Sequence, residues 1–243
     1  MKIKILILAA ILAVSTIPAV AQDLSDKLLA YSNNVVQVFG NSGSGSGTFV
    51  SPRHILTNNH VVSPQTQQGA GVPSRMLVLT PDGKTRVALV LNTDVTNDLA
   101  LLRIVNYKHN SYASFVSEQP TLLDKVWSMG YPGGVPLTIT EGRYQYRFTN
   151  RYNHICEFNT APIFFGNSGG STVVVEDGQI KMLGVPTSII AAGRSFYPHG
   201  SCSVSYTEIQ KFIRRANPNL AMRIFDAPEQ AETAEIFNEP PHT

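Results

Sequence analysis

Between Val35 and Tyr206 the apolar residues come in short runs, rich in β-branched or aromatic side chains and separated by glycine, proline and serine. This pattern constrains the fold more than any other feature, because runs of this length make strands and leave no room for a helical layer. The first set is Val35 to Phe39, Gly47 to Val50, His54 to Thr57, Met76 to Thr80, Val87 to Leu91 and Leu99 to Val105. The second is Lys125 to Met129, Leu137 to Phe148, Ile155 to Phe158, Thr172 to Val175, Lys181 to Ile190 and Cys202 to Tyr206. Pro81-Asp82-Gly83 and Asp177-Gly178 supply the backbone angles that tight turns need. Asn106 to Thr121 sustains no apolar period and reads as the linker between the sets. A helical period enters only at Tyr206 to Ala216, where Ile209, Phe212 and Ile213 recur on one face. The expected architecture is all-β, two antiparallel six-stranded halves with a C-terminal helix. Closing each half into a barrel would remove its exposed edges. A single sandwich has the same strand content.

The two ends read differently. Lys2 and Lys4, the apolar run Ile5 to Val14 and the small residues Ala19-Val20-Ala21 make residues 1–21 an expected export signal, too short in its apolar part for a membrane span. Residues 22–34 read as an N-terminal arm with a short amphipathic helix near 24–31. Residues 35–115 form the expected first barrel and 116–216 the second with its helix. Residues 217–243 are expected to be an acidic tail, since the stretch from 226 onward has five acids, three prolines and no lysine or arginine.

Charge and cysteine usage exclude several classes. The formal net charge is +2, and the two lysines of the signal account for it. The processed chain is balanced, with no global field to draw nucleic acid or an anionic membrane surface. No stable membrane insertion is expected after signal removal, and a monomer is the favoured state. Export permits a disulfide, so Cys156 and Cys202 are read as one bridge in preference to two buried thiols. The histidines show no paired ligand spacing, so neither metal nor other cofactor is expected.

Three segments carry chemistry when taken together. Thr57-Asn58-Asn59-His60-Val61-Val62 brings a histidine to the end of a strand. Asn97-Asp98-Leu99-Ala100-Leu101 places an aspartate at the mouth of an apolar strand. Phe165-Gly166-Asn167-Ser168-Gly169-Gly170 brackets a serine with glycines. A serine hydroxyl needs a base to become nucleophilic. Histidine can take that proton and return it to a leaving group, and a carboxylate can fix its tautomer. A bent glycine-rich loop can present backbone amides to an oxyanion, here those of Gly166 and Ser168. The candidate catalytic residues are therefore His60, Asp98 and Ser168.

These segments resemble the chymotrypsin-like serine peptidases, and most of all the bacterial branch of HtrA/DegP-type and V8-like (glutamyl endopeptidase) enzymes. The resemblance covers roughly residues 35 to 215. It implies two perpendicular six-stranded β-barrels, with His60 and Asp98 from the first, Ser168 and the oxyanion hole from the second, and a peptide or protein substrate in the cleft between them. Gly184-Val185-Pro186-Thr187-Ser188 sits where the family pairs a strand with substrate, which makes Thr187, Ser188 and Ile189 candidate substrate contacts. The strands of Cys156 and Cys202 are neighbours beneath the specificity pocket in that family, where a bridge would brace the pocket wall.

The chain also departs from the branch. Phe164-Phe165 replaces the usual polar residue and proline before the serine-box glycine, so both are candidate pocket walls. No peptide-binding domain resembling the branch's own is recognised. The stretch Ala161-Pro162-Ile163 before the serine box holds no acid to select a basic residue, so a small or apolar residue before the scissile bond is favoured. Cleavage after glutamate, using His199, is the alternative. A catalytically silent peptide-binding homologue is the second class considered, and an esterase using the same triad the third. The expected location is secreted or periplasmic, and no activating cut in residues 22–34 is expected.

Overall fold

The computed structural model describes residues 22–40, 43–63, 74–149, 154–192 and 195–226. The expected export signal lies outside them. Residues 22–32 form a helix, α1. Six strands follow, β1 (Val35–Gly40), β2 (Gly43–Ser51), β3 (His54–Thr57), β4 (Arg75–Leu79), β5 (Thr85–Asp94) and β6 (Leu99–Ile104), with the short helix α2 (Asn59–Val62) after β3. They close into an antiparallel barrel in the order β1-β2-β3-β6-β5-β4. The second set comprises β7 (Lys125–Gly130), β8 (Thr138–Thr149), β9 (Ile155–Asn159), β10 (Ser171–Glu176), β11 (Gln179–Ala192) and β12 (Ser195–Ser205). It closes in the order β10-β11-β12-β9-β8-β7. The paired-barrel reading therefore stands, and the sandwich alternative falls.

The alternation along β6 explains why Leu99 to Leu102 is an apolar run that ends at the exposed Arg103. Ala100, Leu102 and Ile104 point into the first barrel with Val36, Val38, Phe49 and Ile55. Leu99 and Leu101 point the other way, into a cluster that includes Trp127, Met129 and Val185 of the second barrel and Ile209 and Phe212 of the following helix. Over Leu99 to Leu102 both faces are buried, so no polar residue is tolerated until Arg103 reaches solvent. Truncating Leu101 to alanine would cost about 2–5 kcal/mol by leaving a cavity in the seam.

That seam is also closed from the N-terminal side. Leu24 and Leu28 of α1 pack against the shared cluster. The Tyr31 hydroxyl is buried at hydrogen-bond distance, 3.0 Å, from Ser171 Oγ, which lies 2.9 Å from Thr48 Oγ1. Burial pushes the Tyr31 phenol far above its ordinary range.

Three elements depart from the sequence expectations. β2 begins at Gly43, four residues before the expected run. The linker is tied to both barrels, since the Ala113 amide donates to Phe49 O (2.8 Å) and the Met182 amide to Ser114 O (2.7 Å). Residues 217–226, read from the sequence as part of the tail, are largely helical. After helix α3 (Tyr206–Ala216), Asn217 caps a further helix, α4 (Pro218–Ala221), whose Leu220 and Ala221 are buried, and a π-helical turn carries the chain to Asp226. Proline at the first helical position after an asparagine cap is a start signal, and burial of Leu220 holds the short helix in place.

Candidate active site

His60 lies in α2, just beyond the end of β3, and Asp98 immediately precedes β6; these two strands pair directly, Thr57 opposite Ala100. Asp98 has φ 54°, a left-handed angle that aspartate tolerates better than most residues, and this turn aims its carboxylate at the histidine. Asp98 Oδ1 accepts from the His60 backbone amide at 2.9 Å, and Oδ2 bonds His60 Nδ1 at 2.7 Å. A carboxylate can only accept, so Nδ1 carries the hydrogen and Nε2 keeps its lone pair. Asn58 Nδ2 donates to the Asp98 carbonyl at 2.7 Å, and the Thr187 hydroxyl donates to Oδ2 from the second barrel. The histidine is thereby fixed in backbone, ring plane and tautomer by one carboxylate.

Ser168 is partly exposed between β9 and β10, in a loop whose shape glycine makes possible. Gly166 has φ +105° and a side chain there would meet the Tyr131 carbonyl at 2.4 Å; Gly169 has φ +88° and would meet Ser46 O at 2.1 Å. Neither position accepts a Cβ without moving backbone. The turn is closed by the Asn167 amide donating to Phe164 O at 3.0 Å. The Phe165 carbonyl accepts from the Gly133 amide at 2.6 Å, which turns that peptide unit so that the Gly166 N–H faces the opposite way. Neither the Gly166 nor the Ser168 amide has an acceptor among the described residues. His60, Gly166 and Ser168 line one cleft of about 520 Å³, together with Gly43, Ser44 and Gly45 of β2.

Ser46 joins the two halves. Its amide donates to Ser168 O at 2.7 Å, its hydroxyl donates to Gly166 O at 2.7 Å, and Ser46 Oγ accepts from the Tyr131 amide at 2.9 Å. Thr57 Oγ1 donates to Ser46 O at 2.6 Å. Sequence reasoning missed Ser46, Asn58 and Tyr131. The signal for Ser46 was the Gly43-Ser44-Gly45-Ser46-Gly47 run, which looks like a loop but is a strand with its side chains removed so that another backbone can approach.

The remaining candidates separate. Phe164 and Phe165 are exposed, stacked edge to face at 5.3 Å. Both line an apolar recess of about 450 Å³ with Ile163 and Ile189, beside the serine loop. Thr187 lies at an irregularity in the β11–β12 pairing, between Pro186 and Ser188, and its side chain turns to Asp98. His199 lies exposed on β12 and lines neither the cleft nor the recess. Cys156 and Cys202 are bridged, with α-carbons 5.3 Å apart, across the paired strands β9 and β12. Among the described residues no cluster of acids, histidines or cysteines could hold a metal ion.

Two closed six-stranded barrels, with a carboxylate-gripped histidine on one and a glycine-framed serine on the other, define the chymotrypsin-like class of fold. Residues 45–185 match the trypsin-like peptidase domain, and the chain belongs to that family. A probable periplasmic serine endoprotease, DegP-like, from Bartonella henselae is 33% identical over 153 residues, 60% of this chain and 28% of that protein. The mitochondrial serine protease HTRA2 of Drosophila virilis is 32% identical over 186 residues, 72% of this chain and 40% of its own length. The chain thus spans less than half of either relative. Among solved structures, the active form of the Rv3671c protease from M. tuberculosis superposes with a TM-score of 0.64 at 21% identity, over 78% of this chain and 83% of that one. The serine endoprotease from Yersinia pestis does so at 0.61 and 24%, over 77% and 64%. At these identities the structural likeness concerns the fold.

Proposed function

We propose that the chain is a serine endopeptidase, acting on peptide or protein substrates through an acyl-enzyme intermediate. The observation that carries this reading is the double grip of Asp98 on His60, which leaves the Nε2 lone pair as base in the cleft that Ser168 lines. His60 removes the Ser168 hydroxyl proton as Oγ attacks the scissile carbonyl, then returns it to the leaving amine. Asp98 stabilises the imidazolium, and the Gly166 and Ser168 amides meet the oxyanion; one such donor is typically worth about 3 kcal/mol in the transition state.

The residue before the scissile bond is small or apolar. The recess that Phe164, Phe165 and Ile189 help to form supports this, being lined by no charged side chain. Cleavage after glutamate finds less support, since His199 does not line that recess. The leader pattern and the periplasmic DegP-like relatives support a secreted or periplasmic location. Packing of α1 and Tyr31 into the seam supports activity without a further N-terminal cut.

A peptide-library cleavage profile on the parent chain and on Ser168→Ala tests the reading. Cleavage after apolar residues that vanishes in Ser168→Ala is expected. A correctly processed protein that neither cleaves nor is labelled at Ser168 by an organophosphonate would instead be a silent binding homologue.

A further inference from the structure

Away from the cleft, a separate depression of about 440 Å³ lies between the β2–β3 turn, the linker and the C-terminal helices. Its polar lining includes Arg53, His54, Lys108 and Arg223, and no acidic residue lines it. Tyr112, Leu220 and Ile224 supply an apolar wall. Among the described residues, seven of the other lysines and arginines have carboxylate partners, as in Arg86 with Asp82, Arg147 with Glu157, Arg214 with Asp226 and Arg215 with Asp94. Among the described residues Arg53, Lys108 and Arg223 have none.

His54 reports the local field. Burial, Arg223 and Arg103 together depress it to about 4, so it is neutral at physiological pH. Ser51 Oγ already accepts from the Arg53 and His54 amides, so its hydrogen goes to His54 Nδ1 at 2.8 Å and His54 Nε2 becomes a donor. The charged groups of the depression are therefore all cations, and its imidazole presents a donor, beside the Tyr112, Leu220 and Ile224 wall.

The sequence holds a segment of complementary chemistry. Residues 22–226 have seventeen basic and thirteen acidic side chains, and 227–243 have four glutamates and no lysine or arginine. Within them Glu235-Ile236-Phe237 joins charge to apolar bulk. The segment starts four residues beyond Arg223, and the stretch from Asp226 to Glu239 can span about 40 Å when extended. We propose that the depression is an acidic-peptide site and that residues 227–243 of the same chain occupy it, with glutamates against Arg53, Lys108 and Arg223 and the Ile236-Phe237 pair against Tyr112 and Ile224. Single exposed ion pairs are weak, so the association depends on their number and on the apolar pair.

Carbodiimide cross-linking of full-length Ser168→Ala chain, read by mass spectrometry, tests this without autolysis. Amide bonds from Lys108 to glutamates of 227–243 are expected, and in an equal mixture of heavy- and light-nitrogen chains they should join like with like. Their yield should fall about tenfold in Arg53→Glu/Arg223→Glu and again in molar salt, where screening is nearly complete. A companion chain carrying Glu229→Gln, Glu232→Gln, Glu235→Gln and Glu239→Gln leaves the described core untouched, and there Lys108 should acetylate faster than in the parent. Absence of the Lys108 links, or links and acetylation indifferent to charge reversal, would overturn the site. Mixed-isotope pairs would overturn the same-chain occupant in favour of a second copy.

Discussion

Around His60 the fixing contacts run through side chains, Asp98, Asn58 and Thr187, whereas around Ser168 they run mostly through main chain, from Gly133, Asn167 and Ser46 to the loop's own peptide units. On the proposed mechanism the first half is defended by chemistry: one carboxylate sets a tautomer, and an isosteric change would ruin catalysis without moving an atom. The second half is defended by shape: two glycines at positive φ and a strand of small residues let backbones approach, and any added carbon displaces them. The same reaction geometry therefore fails in two distinguishable ways.

The comparison can be broken most directly at the serine itself. Ser168→Ala is expected to lower kcat by about 10⁶-fold with unchanged thermal unfolding; residual turnover well above that in an active-site titration would remove Ser168 from the mechanism. Asp98→Asn sharpens the chemical half. It should keep the fold yet lose about 10⁴ in kcat, because an amide can donate and so stabilises the wrong tautomer; circular dichroism together with steady-state kinetics separates the two effects. Gly166→Ala tests the shape half, where the methyl and the positive φ should turn the amide off the oxyanion and cost about 10²–10³ in kcat with little change in KM. A variant with normal kcat would show that the loop has room the geometry denies.

Smaller effects probe the joint between the halves. Ser46→Ala removes a hydroxyl that touches both Gly166 and Tyr131, and a stability loss of about 1–3 kcal/mol is expected by denaturant titration, accompanied by weaker catalysis. Tyr31→Phe deletes the hydroxyl that reaches Ser171 and should cost about 1 kcal/mol, with kcat nearly unchanged. If instead Tyr31→Phe abolished turnover while leaving stability alone, α1 would belong to the catalytic apparatus.

Most of the fold was legible because short β-branched or aromatic runs and turn residues are local signals. All twelve expected runs became strands, and the triad candidates stood in conspicuous local settings. What escaped were partnerships across long separations. Nothing near Ser46 announces Gly166, and nothing near Tyr31 announces Ser171, since their separation is set by how two barrels dock. The start of β2 was missed because glycine and serine normally mark loops, and only the neighbouring serine loop explains their use in a strand. The helix after Asn217 was missed because one buried leucine, Leu220, makes no period.

The bridge between Cys156 and Cys202 encloses Ser168 and all of β10 and β11 within its loop. Closing a loop of that size restricts the unfolded chain by about 3–4 kcal/mol in the chain-entropy model. The shape-dependent half of the site thus draws on an oxidant that the interior of a cell does not offer. On the proposed mechanism, a copy that failed to leave the cytoplasm would keep its histidine and aspartate contacts but have a less secure serine loop, and assaying the purified chain before and after reduction measures how far activity is tied to export.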